Sequence, residues 1–164
     1  MELAIKYIKK SREIMLGLVE ELTLEELNTI PAGFNNNIIW NLGHIMISTI
    51  GLCYVRSQAD SSHTIPFAKL FGKGTRPGEP IDQQTVNEVK RLIVESITQI
   101  ERDAAGGLFD KVVPYSTDTY GHEMADIKEI LTCTLAHDNM HLGIVKAQKA
   151  VVKQMEKEKS YAGR

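Results

Sequence analysis

The sequence predicts an all-α protein, a four-helix bundle with a long loop between its second and third helices. Four segments repeat apolar residues at helical spacing. The segments between them are rich in glycine, proline and asparagine, which is typical of connections. The last helical segment holds two histidines, His137 and His141, whose rings share one helix face because they lie four residues apart. Four long helices with looped connections favour a bundle.

The composition is that of one soluble domain, which we expect to span residues 1–164. Of these 164 residues, 43% are hydrophobic and 24% are charged, which suffices for a single core. A net charge of −2 argues against a protein that binds nucleic acid by neutralising phosphates. Two cysteines cannot form a disulfide framework, and the first residues lack a signal-peptide pattern. We therefore expect a cytoplasmic protein.

The predicted first helix covers residues 1–22. Lysines, a glutamate and Arg12 fall outside its apolar residues and are expected to face solvent. Residues 23–26 match a capping box, which starts a short helical turn, and Pro31 breaks it. The apolar residues that define the face of the first helix are Ile5, Ile8, Met15, Leu18, Val19 and Leu22.

The predicted second helix covers residues 38–57 and follows three asparagines that can cap it. It carries no formal charge as far as Val55, but Asn41 and two glycines, Gly43 and Gly51, interrupt its apolar character. We therefore expect a helix buried in a soluble bundle rather than a membrane span. The two glycines are expected to allow close packing of a neighbouring element.

A long loop over residues 58–81 separates the second and third predicted helices. Loops of this length in compact domains are often functional. The third helix is expected to begin at an Asp82 cap and to end at the glycines of residues 106–107.

An irregular connection is predicted over residues 108–122, where Pro114 argues against a strand. The fourth helix is expected to run from about Glu123 to Met155 or beyond. We expect a frayed tail from about residue 156.

His137 and His141 lie on a mostly apolar stripe of the fourth predicted helix. An imidazole that faces a core needs a partner for each ring nitrogen. One metal ion would satisfy both rings. The alternative is a pair of core histidines bonded to neighbouring hydroxyl groups. The other members of the stripe are Ile130, Thr134, Ile144 and Val151.

His44 is the best candidate for a third metal ligand. It lies in the middle of the second predicted helix, on the same side as Trp40, and bundles build metal sites from inward residues on facing helices. Cys133 is the runner-up, since it precedes His137 by one turn and a thiolate favours zinc. However, three ligands from one straight helix do not converge easily on one ion.

Three further residues are weaker candidates. His63 and His122 lie in or beside loops and are expected to be solvated. Asp138 points about 100° away from His137 around the helix. It is either a hydrogen-bond acceptor for an imidazole or a helix-surface acid.

A zinc-protease pattern is a rival interpretation of His137, Asp138 and His141. They match His-Glu-x-x-His with aspartate in place of the glutamate that acts as general base. Aspartate is one methylene shorter, and no histidine follows His141 to complete the site. A protease is therefore disfavoured.

Two motifs resemble those of the DinB-like (damage-inducible) four-helix-bundle family. Residues 37–44, Asn-Ile-Ile-Trp-Asn-Leu-Gly-His, are similar to its second-helix motif. Residues 137–143 are similar to its C-terminal motif, in which a glycine closely follows the second histidine. The likeness covers about residues 1–155 and departs at Ile144, where many members have glutamine. The resemblance implies a divalent-metal site at three positions, which are His44, His137 and His141.

The resemblance implies a metal-dependent enzyme with a small-molecule substrate, since some relatives are thiol S-transferases or isomerases that use a low-molecular-weight thiol. It also implies a homodimer. Three neutral imidazoles leave positions on the ion, preferably zinc or nickel, where a water or thiol nucleophile can be activated. We therefore expect the protein to be a hydrolase or a thiol S-transferase. We expect no nucleic-acid partner and no membrane partner.

The competing hypothesis is a non-catalytic bundle that acts as an interaction protein. Its metal would brace the core or be absent. A fourth protein ligand such as Cys133 would favour bracing. An open pocket beside the ion, walled by the loop of residues 58–81, would favour catalysis. Trp40 and Phe67 are candidates to line it, although core packing is the expected role of Trp40.

Overall fold

The computed structural model describes residues 1–162 and is 65% helical, which confirms the predicted all-α class. Four of its helices are long and two are short, and a two-stranded hairpin precedes the last helix. The elements in chain order are α1 (Glu2–Val19), α2 (Leu24–Asn28), α3 (Ile38–Ile50) with a π-helical continuation (Gly51–Arg56), α4 (Ala68–Phe71), α5 (Gln83–Ala105), β1 (Tyr115–Ser116), β2 (Glu123–Met124) and α6 (Ile127–Ala162).

The four long helices form a bundle around one hydrophobic core. Helix α1 packs against α5 and α6, and α3 packs against the same two helices. The α1 and α3 helices therefore lie diagonally across the bundle, as do α5 and α6. Side chains from all four contribute to the shared core.

The loop predicted over residues 58–81 contains the short helix α4. Phe67 precedes this helix with a left-handed backbone, at a φ of 59°. That conformation is uncommon for a residue with a side chain, so the surrounding contacts must hold it. The turn places Phe71, the last residue of α4, in the core against α3.

The start of the last helix differs from the prediction of about Glu123. Residues Glu123–Met124 pair with Tyr115–Ser116 in an antiparallel hairpin, which begins just after Pro114 because proline has no N–H to donate. Helix α6 begins at Ile127. The residue before it, Asp126, caps the helix, since its carboxylate accepts hydrogen bonds from the backbone N–H groups of Lys128 and Glu129.

The tail predicted to fray from about residue 156 is helical as far as Ala162. Residues 163–164 of that tail lie outside the described residues. The first helix ends at Val19, three residues before its predicted end at residue 22.

The segment Ile38–Arg56 is long and apolar enough to cross a membrane by length and composition alone. However, 78% of its most apolar window is buried inside the bundle. This is the burial of a core helix in a soluble protein, which agrees with the expectation from the sequence.

A buried arginine connects all four long helices. Arg12 on α1 is only 1% exposed, so the expectation that it faces solvent is wrong. Its Nε donates to Asp138 Oδ2 of α6 at 2.8 Å, and its Nη1 donates to the Ile93 carbonyl of α5 at 2.7 Å. Its Nη2 donates to the Thr49 hydroxyl of α3. A guanidinium tolerates burial when its charge is paired and its N–H groups are bonded.

Gly43 allows the Phe71 ring to lie directly against α3. A Cβ atom at residue 43 would lie 2.3 Å from the ring, and Phe71 is fully buried. We predict that Gly43→Ala lowers the free energy of unfolding by about 1–3 kcal/mol, because the added methyl group overpacks the core.

The matched control for this prediction is Gly17→Ala in α1. Apart from the chain neighbours and the backbone of α1 itself, no atom of residues 1–162 lies within 4 Å of a Cβ at that position, so alanine should stabilise the helix by up to about 1 kcal/mol. Urea unfolding measures both variants, and a Gly43→Ala protein as stable as Gly17→Ala would contradict the packing role.

Candidate metal centre

Three histidines from two helices meet inside the bundle. His44 comes from α3, and His137 and His141 come from α6. One ligand atom of each lies within 4.8 Å of the other two. The ring centres are 5.3 Å apart for His44 and His137, 5.0 Å for His44 and His141, and 4.6 Å for His137 and His141. The structure thus brings together the residues predicted as ligands, while metal binding by them stays a prediction.

The His44 ring is fixed on two sides. Its Nδ1–H donates to the Phe71 carbonyl at 2.7 Å, since a carbonyl oxygen can only accept. Trp40 stacks on the ring with centres 4.5 Å apart, and its indole N–H donates to Thr75 at 2.9 Å. The Nε2 of His44 keeps its lone pair and lies 3.4 Å from the Ser48 hydroxyl.

An amide network fixes His141. Its Nδ1–H donates to Asn41 Oδ1 at 2.7 Å. The Asn41 amide in turn donates to Gln148 Oε1 at 3.0 Å, and Gln148 donates to the Asn36 carbonyl at 2.7 Å. Hydrogen bonds of this kind set the orientation and tautomer of a metal-binding imidazole.

The glutamine that many relatives have at position 144 is Ile144 here, and this side chain is only half-buried. Gln148, one turn later, is the buried glutamine that joins the amide network. The sequence analysis missed Asn41 and Gln148 as partners of the site. Their polar side chains on otherwise buried helix faces were the available signal.

Burial keeps two of the rings neutral. Desolvation lowers the pKa of His44, although the hydrogen bond to the Phe71 carbonyl opposes this effect. Desolvation also lowers the pKa of His141 to about 3, with a smaller contribution from the neighbouring histidines. Both imidazoles are therefore uncharged at neutral pH, which is the form that binds metals.

His137 and Asp138 each leave a buried polar atom without a hydrogen-bond partner. These atoms are His137 Nδ1 and Asp138 Oδ1, and they lie 4.0 Å apart. The Asp138 side chain is completely buried and paired with Arg12, so its interpretation as a helix-surface acid is wrong. A buried imidazole nitrogen without a partner among residues 1–162 fits a divalent ion that accepts nitrogen ligands, such as zinc or nickel.

The remaining candidates lie outside the three-histidine group. Cys133 is half-buried, and burial raises the pKa of its thiol, which disfavours the thiolate. His63 lies in a loop, as predicted, and its side chain is 32% exposed, while its ring stacks on Tyr54 with ring centres 3.9 Å apart. His122 is exposed, as predicted.

An open cleft of about 240 Å³ lies beside His44 and His137. Its walls come from α3, α6 and the hairpin loop of residues 117–120, whereas the loop of residues 58–81 contributes only Lys73. The cleft is therefore open, but the loop of residues 58–81 forms only a small part of its wall. Neither Trp40 nor Phe67 lines the cleft, because Trp40 lies behind His44 and Phe67 packs towards Phe71.

The comparison with known families agrees with this geometry. The family model described as the DinB superfamily matches residues 7–145, which includes all three histidines and most of the chain. No curated protein matches the chain.

Proposed function

We propose that this chain, which belongs to the DinB superfamily, is an enzyme with one divalent ion held by His44, His137 and His141. Its reaction uses a water or thiol nucleophile, as in a hydrolase or a thiol S-transferase. The observation that carries the proposal is the meeting of three imidazoles beside an open cleft. Zinc and nickel are the preferred ions, since both accept imidazole ligands.

The ion, when bound, supplies positive charge that lowers the pKa of a water or a thiol towards neutrality. The chain itself supplies orientation. The Phe71 carbonyl and Asn41 hold the Nδ1–H groups of His44 and His141, so both rings present Nε2 in a fixed direction. Trp40 covers one face of His44 and restricts ring rotation.

A catalytic role is favoured over bracing of the core for two reasons. A structural zinc site has four protein ligands, whereas the group within residues 1–162 has three members. In addition, His44 and His137 line the cleft, so a small molecule can reach them. A low-molecular-weight thiol substrate and a homodimer belong to the same proposal and come from the family resemblance, whereas the cytoplasmic location comes from the low cysteine content.

Elemental analysis of protein purified without a histidine tag or chelator tests this proposal. We expect about one equivalent of a divalent transition metal per chain, held through washing, because three converging imidazoles bind such ions tightly. Protein that stays metal-free after dialysis against zinc and against nickel would contradict the proposed function.

A further inference from the structure

The cleft beside the histidines carries one cation without an opposite charge. Three of its lining residues are lysine, arginine or an acid, and two of these, Lys73 and Asp118, pair with each other. The third, Arg56, has no carboxylate oxygen within 4.0 Å among residues 1–162, although it adds to the effect of Lys73 in lowering the pKa of Asp118. Its Nη2 donates instead to the neutral carbonyl of Ser116, at 3.1 Å. The cleft is therefore positively charged before any metal is added.

The Arg56 side chain is exposed and contacts two uncharged groups, the Ser116 carbonyl and the Tyr115 ring. Its guanidinium carbon lies 5.2 Å from the centre of the Tyr115 ring. The Tyr115 hydroxyl donates to the Leu52 carbonyl at 2.8 Å, which anchors the ring to the π-helical segment that carries Arg56. A preordered guanidinium loses little side-chain entropy on binding, and its planar N–H groups match a carboxylate.

A second cavity of about 330 Å³ adjoins the cleft. Tyr120 and Cys133 line both spaces, and Met124 and Ala136 contribute to the largely apolar lining of the second. Because the two spaces share Tyr120 and Cys133, they place Arg56, two of the histidines and a largely apolar chamber next to one another.

We propose that the substrate is a small organic acid with an apolar portion. Its carboxylate binds Arg56, its reacting group lies at His44 and His137, and its apolar portion occupies the second cavity. This inference rests on the proposed function, since it names the substrate class of the same site.

Calorimetric titration with 4-phenylbutyrate and its neutral analogue 4-phenylbutanamide tests the role of Arg56. We expect the acid to bind the wild-type protein about tenfold more tightly than the amide, because charge-assisted hydrogen bonds are the stronger ones. Arg56→Gln keeps N–H donors on the side chain but has no charge, so the preference should disappear. Arg56→Lys should keep part of it.

The matched control combines Lys73→Gln with Asp118→Asn. It removes one charge of each sign from the cleft and should keep the preference for the acid. Failure of the acid to bind the wild-type protein, equal binding of acid and amide, or a preference that survives Arg56→Gln would each overturn the assignment. The last result would mean that another group, such as the metal, holds the carboxylate.

The metal content of every sample is measured in parallel. A metal-free wild-type protein that still prefers the acid would count against the proposed function and in favour of Arg56. Failure of the proposed metal site and failure of the role assigned to Arg56 are therefore distinguishable.

Filling the second cavity tests the place of the apolar portion. Ala136→Phe lies on an exposed face of α6 and should fold normally. We expect it to weaken binding of 4-phenylbutyrate by about tenfold and to leave butyrate unaffected, because the phenyl group loses its apolar contacts. Unchanged affinity for 4-phenylbutyrate would overturn this placement.

Discussion

Replacing Asp138 by alanine is expected to lower the free energy of unfolding by about 3–5 kcal/mol, measured by urea unfolding of metal-free protein. The substitution leaves the Arg12 guanidinium buried without its counter-charge. The other partners of Arg12 are the Ile93 carbonyl and the hydroxyls of Thr49 and Ser96, which are uncharged. They cannot offset the desolvation of a full positive charge.

A double variant separates the charge effect from lost packing. Arg12→Met with Asp138→Leu removes both charges and keeps similar volumes, so it should recover most of the lost stability. Thr49 stays satisfied in that variant, since its hydroxyl also donates to the Ile45 carbonyl at 2.8 Å.

The matched control is Glu95→Ala, which breaks the exposed ion pair with Arg91. It should have little effect, because water and salt screen exposed pairs. An Asp138→Ala protein as stable as the Glu95→Ala protein would show that the buried pair does not stabilise the bundle.

Replacing His137 by alanine is expected to abolish stoichiometric metal binding. Two imidazoles remain after the substitution, and two ligands rarely hold a divalent ion well. Elemental analysis of the purified variant measures the effect. Thermal unfolding gives a second readout, because added zinc or nickel should raise the melting temperature of the wild type but not of the variant.

His122→Ala is the matched control for this loss, since His122 is exposed and outside the three-histidine group. Its metal content should equal that of the wild type. His44→Ala should behave like His137→Ala, because it removes the ligand supplied by the second helix. Unchanged metal content in His137→Ala would show that the site assignment is wrong.

The helix faces and the three histidines were predictable because they depend on local spacing. The positions of His137 and His141 place both rings on one side of any helix, and the apolar residues around His44 turn that ring inward. The asparagine cap and the capping box are similarly local, and the structure contains both, at Asn37 and Thr23.

The charge of a side chain was misleading where it conflicted with the spacing. Residues 8, 12, 15 and 19 share one helix face, so Arg12 belongs to the buried stripe by position, but its charge argued for solvent. The burial of Arg12 is favourable only because Asp138 of α6, more than one hundred residues later in the chain, packs against it as a counter-charge. Asp138 could not be placed for the same reason.

The sequence by itself determined an all-α bundle, the family, and the three histidines that meet in it. Tertiary structure alone decided which groups hold those rings, which side chains line the cleft, and that Arg56 faces it without an ion pair to any of residues 1–162. The physical reason is that a helix face follows from the period of one segment. A hydrogen-bond partner, such as the backbone carbonyl of Phe71, depends on how distant segments pack. Every residue has a backbone carbonyl, so the amino-acid sequence does not show which one will accept the bond.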